Sequence, residues 1–136
     1  MLGATHFIVG AAIYRLVKPK PLGLVLAFGS HFALDAVPHH ELSMMGNGVL
    51  LAAAFTGMAY IAWRIRNVRL LVAGLLGLAP DLNWIFQISS TLNTFHSYVH
   101  YHSTTLSIPT MVGIEILVFV AGASTLIRAF VRQAIR

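Results

Sequence analysis

The chain has no cysteine, only four carboxylates, and no lysine or arginine outside three short stretches. Without thiols there is no disulfide framework and no thiolate metal site, so any metal must be held by nitrogen and oxygen ligands. Charged residues make up 10% of the 136 residues and hydrophobic residues 57%, with a mean hydropathy of +0.78, a balance that excludes an ordinary water-soluble fold. The net charge of +5 is no sign of nucleic acid, because the cations flank apolar runs and form no stripe with interleaved aromatics; no nucleic-acid partner is expected. No basic region precedes the first apolar run, which His6 interrupts, so a removable signal peptide is not expected.

What is present are five long apolar runs, Leu2–Val17, Pro21–Val37, Val49–Trp63, Leu70–Ile88 and Thr105–Ile127. Lipid forces every spanning segment to satisfy its own backbone hydrogen bonds. The predicted fold is therefore all-α, a polytopic membrane helix bundle of about five transmembrane helices forming one integral membrane domain over residues 1–136. The first two runs are short for a hydrocarbon core of ~30 Å, which needs about 20 residues, so one of them is alternatively a half-buried helix.

Each run ends near a basic cluster: Arg15, Lys18 and Lys20; Arg64, Arg66 and Arg69; Arg128, Arg132 and Arg136. His6 precedes the first cluster, and the other six histidines and all four carboxylates fall between clusters. The positive-inside rule then predicts an N-terminus outside and a cytoplasmic C-terminus, with the histidines and carboxylates on the non-cytoplasmic side. Pro38 is expected to stop the second helix, Gly46-Asn47-Gly48 to precede the third, and Pro80 and Pro109 to kink or interrupt theirs. The Ser89–Ser103 loop is long enough for a short surface helix or a lid. Trp63, Trp84, Tyr14, Tyr60, Tyr98 and Tyr101 read as interface anchors.

His31 and Asp35 stand at i, i+4, so on a helix they share one face and are able to chelate one cation or flank two. His39, His40 and Glu41 follow past the helix end, with His39 favoured as a ligand, and His96 and His100 repeat the i, i+4 relation if their loop is helical. His6, Asp81 and His102 are placed towards the same outer depth. Ionisable groups at membrane depth are costly unless they pair, coordinate or line water, which makes Asp35 and Asp81 functional candidates. Imidazoles with carboxylates suit zinc first, manganese or iron otherwise. Glu115, near the middle of the last run, is placed to reach the site from below or to contact Asn83 or Gln87. The bland reading is that His31 and Asp35 form a buried pair that fixes packing, and that the remaining histidines only order a polar loop.

Thr5-His6 followed by Gly10, then Gly77-Leu78-Ala79-Pro80-Asp81, then a late histidine cluster ending His102-Ser103, resemble the membrane-bound metal-dependent hydrolases of the YdjM-like inner-membrane family. After Pro80-Asp81 that family continues with a second Asp and a His, where this chain carries Asn83 and Trp84. His31-Phe-Ala-Leu-Asp35 followed by His39 is more distantly similar to an element of zinc-dependent phospholipase C and the single-strand-specific zinc nucleases. These resemblances imply a bacterial-type inner (plasma) membrane and phosphoester hydrolysis at bound metal.

The expectation is thus a phospholipase-like hydrolase of a phosphoester or related bond in a lipid or lipid-linked substrate. Its divalent metal is held by His31, Asp35 and His39 with help from His6, Asp81, His96, His100 and His102, and Asp81 or Glu41 takes the proton. Membrane lipids are its expected partners, and small-residue faces favour a homo-oligomer. The alternatives are a non-catalytic metal-binding or metal-transporting membrane protein and a small structural subunit.

Overall fold

The computed structural model describes residues 1–100 and 106–135, apart from the side chains of residues 133 and 134; His102, Tyr101, Ser103 and Arg136 lie outside the described residues. They form six helices and no strand: α1 (Gly3–Leu16), α2 (Lys20–Asp35), α3 (Met44–Arg64), α4 (Arg69–Phe86), α5 (Ser90–Val99) and α6 (Ile108–Ala134). Five of these match the apolar runs, and α5 occupies the polar loop between the last two.

Three helices are long and apolar enough to cross a membrane: α3, α4 and α6. This is fewer than the five expected. With 14 and 16 residues, α1 and α2 are only about 21 and 24 Å long at 1.5 Å per residue. α1 is apolar all round because it is enclosed by α2, α3, α4 and α6, not because it faces lipid. Phe7, Ile8, Ala11, Ala12 and Tyr14 of α1 form the core with Ala27, Met58, Leu70, Ala73 and Leu126. By contrast α3 and α6 display Val49, Leu50, Phe55, Ile116, Leu117, Val120 and Ile127 on the outside. An apolar surface of that extent is at home in lipid and not in water.

Helix ends explain the register. Ser43, Ser89 and Ser107 cap α3, α5 and α6 by accepting from the amides of Gly46, Leu92 and Thr110. The Ser43 cap starts α3 at Met44, so Gly46-Asn47-Gly48 lies inside the helix and not before it. α6 starts at Ile108, which places Pro109 in the first turn, where its missing N–H costs nothing; it does not interrupt the helix. Pro80 lies within α4, which runs on to Phe86. At the far end of α1, Lys20 Nζ donates to the carbonyls of Tyr14, Arg15 and Val17 at 2.8, 3.1 and 3.1 Å, satisfying the groups a helix leaves open. The same ammonium sits 4.8 Å over the Tyr14 ring, and Tyr14 is a buried core residue, not an interface anchor. Trp63 and Trp84 are exposed, as an anchor role requires.

α1 and α4 cross at closest approach through glycine. A Cβ on Gly10 would stand 2.8 Å from the Ala73 carbonyl oxygen, and one on Gly77 would stand 2.5 Å from the His6 carbonyl oxygen. Backbone contact of this kind is available only without side chains. It brings His6 and the Gly77 carbonyl to the same level as the end of α2.

Candidate metal centre

α2 delivers His31 and Asp35, one turn apart and both fully buried. The Asp35 carboxylate is the hub. Its Oδ1 lies 2.8 Å from the Met1 amino nitrogen and 2.9 Å from His6 Nε2; its Oδ2 lies 3.0 Å from His31 Nε2 and 2.7 Å from His96 Nε2. His6 comes from α1 and stacks on His31 with ring centroids 4.0 Å apart. Phe32 and Phe95, in edge contact at 4.8 Å, pack beside the imidazoles and keep the surroundings apolar.

The tautomer of His31 follows from its other nitrogen. Nδ1 is 2.9 Å from the Gly77 carbonyl oxygen, which can only accept, so Nδ1 carries the proton. The neutral ring then aims an Nε2 lone pair at Asp35 Oδ2 and at His96 Nε2, which is 3.2 Å away. Asp35 Oδ2 and His31 Nε2 are acceptors facing one another across His96 Nε2, which either donates its proton to them or joins them in holding a metal ion. A backbone carbonyl fixing the far nitrogen is the usual support of a metal-ligating histidine.

Asp81 closes the group from α4, with Oδ1 3.6 Å from His31 Nε2 and 3.8 Å from His96 Nε2. One ligand atom from each of His31, Asp35, Asp81 and His96 falls within 4.8 Å of the others. For four ligands ~2.1 Å from a central cation, tetrahedral edges are about 3.4 Å. The edges joining His31, Asp35 and His96, 2.7, 3.0 and 3.2 Å, come near that length, and Asp81 stands farther off, 3.6 Å from His31 and 3.8 Å from His96. The residues therefore fit a divalent ion. His6 stands outside the group, as a neighbour of Asp35; its Nδ1 and the Nδ1 of His96 are buried without a partner.

His39 belongs to a second grouping with Asp35 and His100, again within 4.8 Å. It is buried, and its Nδ1–H donates to the Val37 carbonyl at 2.8 Å. Burial holds its imidazole below the ordinary value, with the nearby Met1 ammonium acting the same way. Glu41 is 73% exposed and meets His100 Nε2 at 3.4 Å. His40 enters neither grouping. Glu115 contacts neither Asn83 nor Gln87 as expected: it accepts from Thr5 Oγ1 and from the Leu2 amide, while Asn47 Oδ1 accepts from the Gly3 amide at 3.0 Å. These two side chains cap α1 from α6 and α3 and so fix where His6 stands.

Asn83 explains how α5 is aimed. Its amide donates to the Ser89 carbonyl at 3.1 Å and accepts from the Ser89 amide at 2.9 Å, and it also bonds the Asn93 side chain. This clamp turns the chain after α4 and sends His96, the buried residue of α5, into the cluster. A polar residue two positions after the Pro80-Asp81 pair was the signal available in the sequence; its role in holding α5 was not readable there.

A cavity of about 580 Å³ opens beside the cluster. Asp81, His96, His100 and Glu41 line its polar part, and Leu51, Leu78, Leu82, Trp84 and Ile85 of α3 and α4 line much of the rest. The fold and the cluster define a class: an all-helical protein with three helices able to span a membrane and a buried His/Asp group able to hold a metal ion. No family model, curated protein or solved structure matches the chain significantly.

Proposed function

We propose that this chain is a membrane-embedded, metal-dependent hydrolase of a phosphoester in a lipid or lipid-linked substrate. The observation that carries the reading is the cluster of His31, Asp35, His96 and Asp81 at the wall of a mostly apolar cavity with a polar end, beside helices long enough to span a bilayer. Such a cavity takes an amphiphile, with its headgroup towards Asp81 and His96 and its chain along Leu51, Leu78 and Leu82.

Three of the four residues, His31, Asp35 and His96, are buried and would hold the ion, while Asp81, at 25% side-chain exposure, faces the cavity. With those three as ligands a bound ion would keep a position open for water, and Asp81 would stand beside it as the base. When bound, a divalent ion, zinc being the first choice for this ligand set, supplies Lewis-acid polarisation of the phosphoryl group. Asp81 takes a proton from the attacking water as the water oxygen bonds to phosphorus. The bond from phosphorus to the leaving oxygen breaks, and Asp81 returns the proton to that oxygen, giving an alcohol and a phosphomonoester. Asp35 holds His31 and His96 in place, and the Gly77 carbonyl fixes the His31 ring.

The residues of the YdjM-like resemblance support the same centre: His6 beside Asp35, Gly10 and Gly77 at the helix crossing, and Asp81 at the cavity. The basic residues Arg15, Lys20, Arg64 and Arg69 sit at the helix ends remote from the cluster. The positive-inside rule then puts those ends in the cytoplasm and the site on the outer side of a bacterial-type inner membrane, with the N-terminus outside.

The test is metal content of detergent-purified protein followed by assay on a chromogenic phosphodiester carrying an acyl tail, in mixed micelles. Native protein is expected to hold zinc and to hydrolyse the probe; His31→Ala and Asp35→Ala lose the metal, and Asp81→Asn keeps metal but loses at least 100-fold in kcat, about the scale of a general base. Native protein that binds neither zinc nor manganese would overturn the reading.

A further inference from the structure

The second histidine grouping sits outside the four-residue cluster, yet shares its hub. Asp35, His39 and His100 each bring one ligand atom to within 4.8 Å of the others. His39 has its Nδ1–H tied to the Val37 carbonyl, so its Nε2 carries a lone pair, the same arrangement that the Gly77 carbonyl imposes on His31. The His39 and His100 rings meet edge-on at 4.9 Å, and the His96 and His100 rings at 5.7 Å, so the two groupings are contiguous through α5 as well as through Asp35.

We propose that Asp35, His39 and His100 form a second divalent-cation site, with the Asp35 carboxylate shared between two ions and Glu41 beside His100 as an outer carboxylate. The proposal rests on the hydrolase reading and names its substrate class more narrowly, as a phosphodiester that keeps a full negative charge. Charge decides between one ion and two. Around the site stand the carboxylates of Asp35, Asp81, Glu41 and Glu115 against the single ammonium of Met1, a balance of −3. One divalent ion leaves this at −1, which repels an anionic headgroup; a second brings it to +1. No lysine or arginine lines the cavity, so the countercharge must come from cations. Paired ions about 3.5–4 Å apart are the arrangement that holds both the attacking and the leaving oxygen of a phosphoester.

The experiment is titration of chelator-stripped full-length protein in detergent with Zn²⁺ and, separately, Mn²⁺, reading bound metal per chain. Native protein should bind two equivalents, and His39→Ala and His100→Ala one each, with melting temperature reported alongside. His100 is 24% exposed, so its variant keeps the test sound if His39→Ala does not fold. The fully loaded manganese form should give a spin-coupled resonance signal that His100→Ala lacks. One equivalent in native protein, unchanged in both variants, would overturn the second site and leave the hydrolase centre standing. Two equivalents retained in both variants would refute this ligand assignment. No binding at all would sink the hydrolase reading itself.

Discussion

Replacing Gly77 with alanine tests whether the α1–α4 crossing positions the metal centre. The added methyl would lie 2.5 Å from the His6 carbonyl oxygen and 3.2 Å from the Gly10 Cα, where ordinary contact begins at 3.4 Å. Both neighbours are backbone, so no side chain can swing aside, and the helices must part by up to roughly 1 Å. Overpacking of this kind costs about 3 kcal/mol at its upper end, against a helix-propensity gain of about 1 kcal/mol from Gly to Ala. The net loss of about 2 kcal/mol corresponds to a fall of about 8 °C in melting temperature, at ~4 °C per kcal/mol for a chain of this size. Parting the helices also shifts His6 and the Gly77 carbonyl that orients His31, so zinc affinity should fall 10- to 100-fold, about the cost of losing a ligand's outer partner. Gly29→Ala is the matched control, since nothing lies within 4 Å of its would-be Cβ. It makes the same propensity change with no clash, and it should melt no lower than native. Thermal melts and zinc titrations of the three proteins in one detergent check this. A Gly77→Ala protein that melts within ~2 °C of native and binds zinc equally would refute the claim that this crossing holds the site together.

Thr5→Val strips the hydroxyl from Glu115 and leaves that carboxylate underbonded in the interior; a loss of about 1–3 kcal/mol is expected, largely recovered when Glu115→Leu is added, as a double-mutant cycle of melting temperatures would read. Asn83→Ala releases the clamp on Ser89 and should speed amide exchange across α5 and weaken zinc binding at least tenfold, with helix content otherwise kept. His39 titrates below its ordinary 6.5 because burial disfavours the imidazolium, so at higher pH it has no effect on stability. As pH falls through 6.5 the unfolded chain takes up a proton that folded His39 refuses, and stability declines from there. Melting curves of metal-free protein should therefore slope downward below that pH, and His39→Gln should flatten the slope.

How much of this could be read from the sequence depended on the range of the interaction. The apolar runs marked α1, α2 and α4 to within two residues, because backbone self-satisfaction in an apolar setting leaves helix as the local answer, whereas α3 begins before its run and α6 continues past its own into the basic residues. The pairing of His31 with Asp35 was legible from their spacing, and that of His96 with His100 from theirs. Hydropathy does not distinguish a helix buried by protein from one buried by lipid, since both are apolar all round; it leaves α1 open between a span and a half-buried helix, and α1 is the centre of the bundle. Nor could spacing show that His39 joins Asp35 in a separate grouping, or that Glu115 caps α1 across 110 residues of chain. Those relations are set by which helices pack, and only the glycine pairs at Gly10 and Gly77 hinted at that.

The placement of buried polar groups also bears on the choice between the proposed hydrolase and a cation conductor. A conductor needs ligands that continue through the bundle, because an ion stripped of water must be passed from one set of oxygens or nitrogens to the next. Here the buried polar residues Thr5, His6, His31, Asp35, His39, Asn83, His96 and Glu115 all belong to one end of the bundle or to the loops above it. Towards the basic end the interior passes to Ala11, Tyr14, Ala27, Met58, Leu70 and Ala73. Among the described residues no chain of polar side chains crosses that layer. An ion held at His31 and Asp35 therefore has a way in from the cavity beside Asp81 and no way onward. A site that opens to a cavity and is closed behind fits the proposed hydrolase better than a conductor. Vesicles carrying the protein should accordingly show no zinc uptake above empty vesicles, and zinc flux abolished by Asp35→Ala would reverse this conclusion.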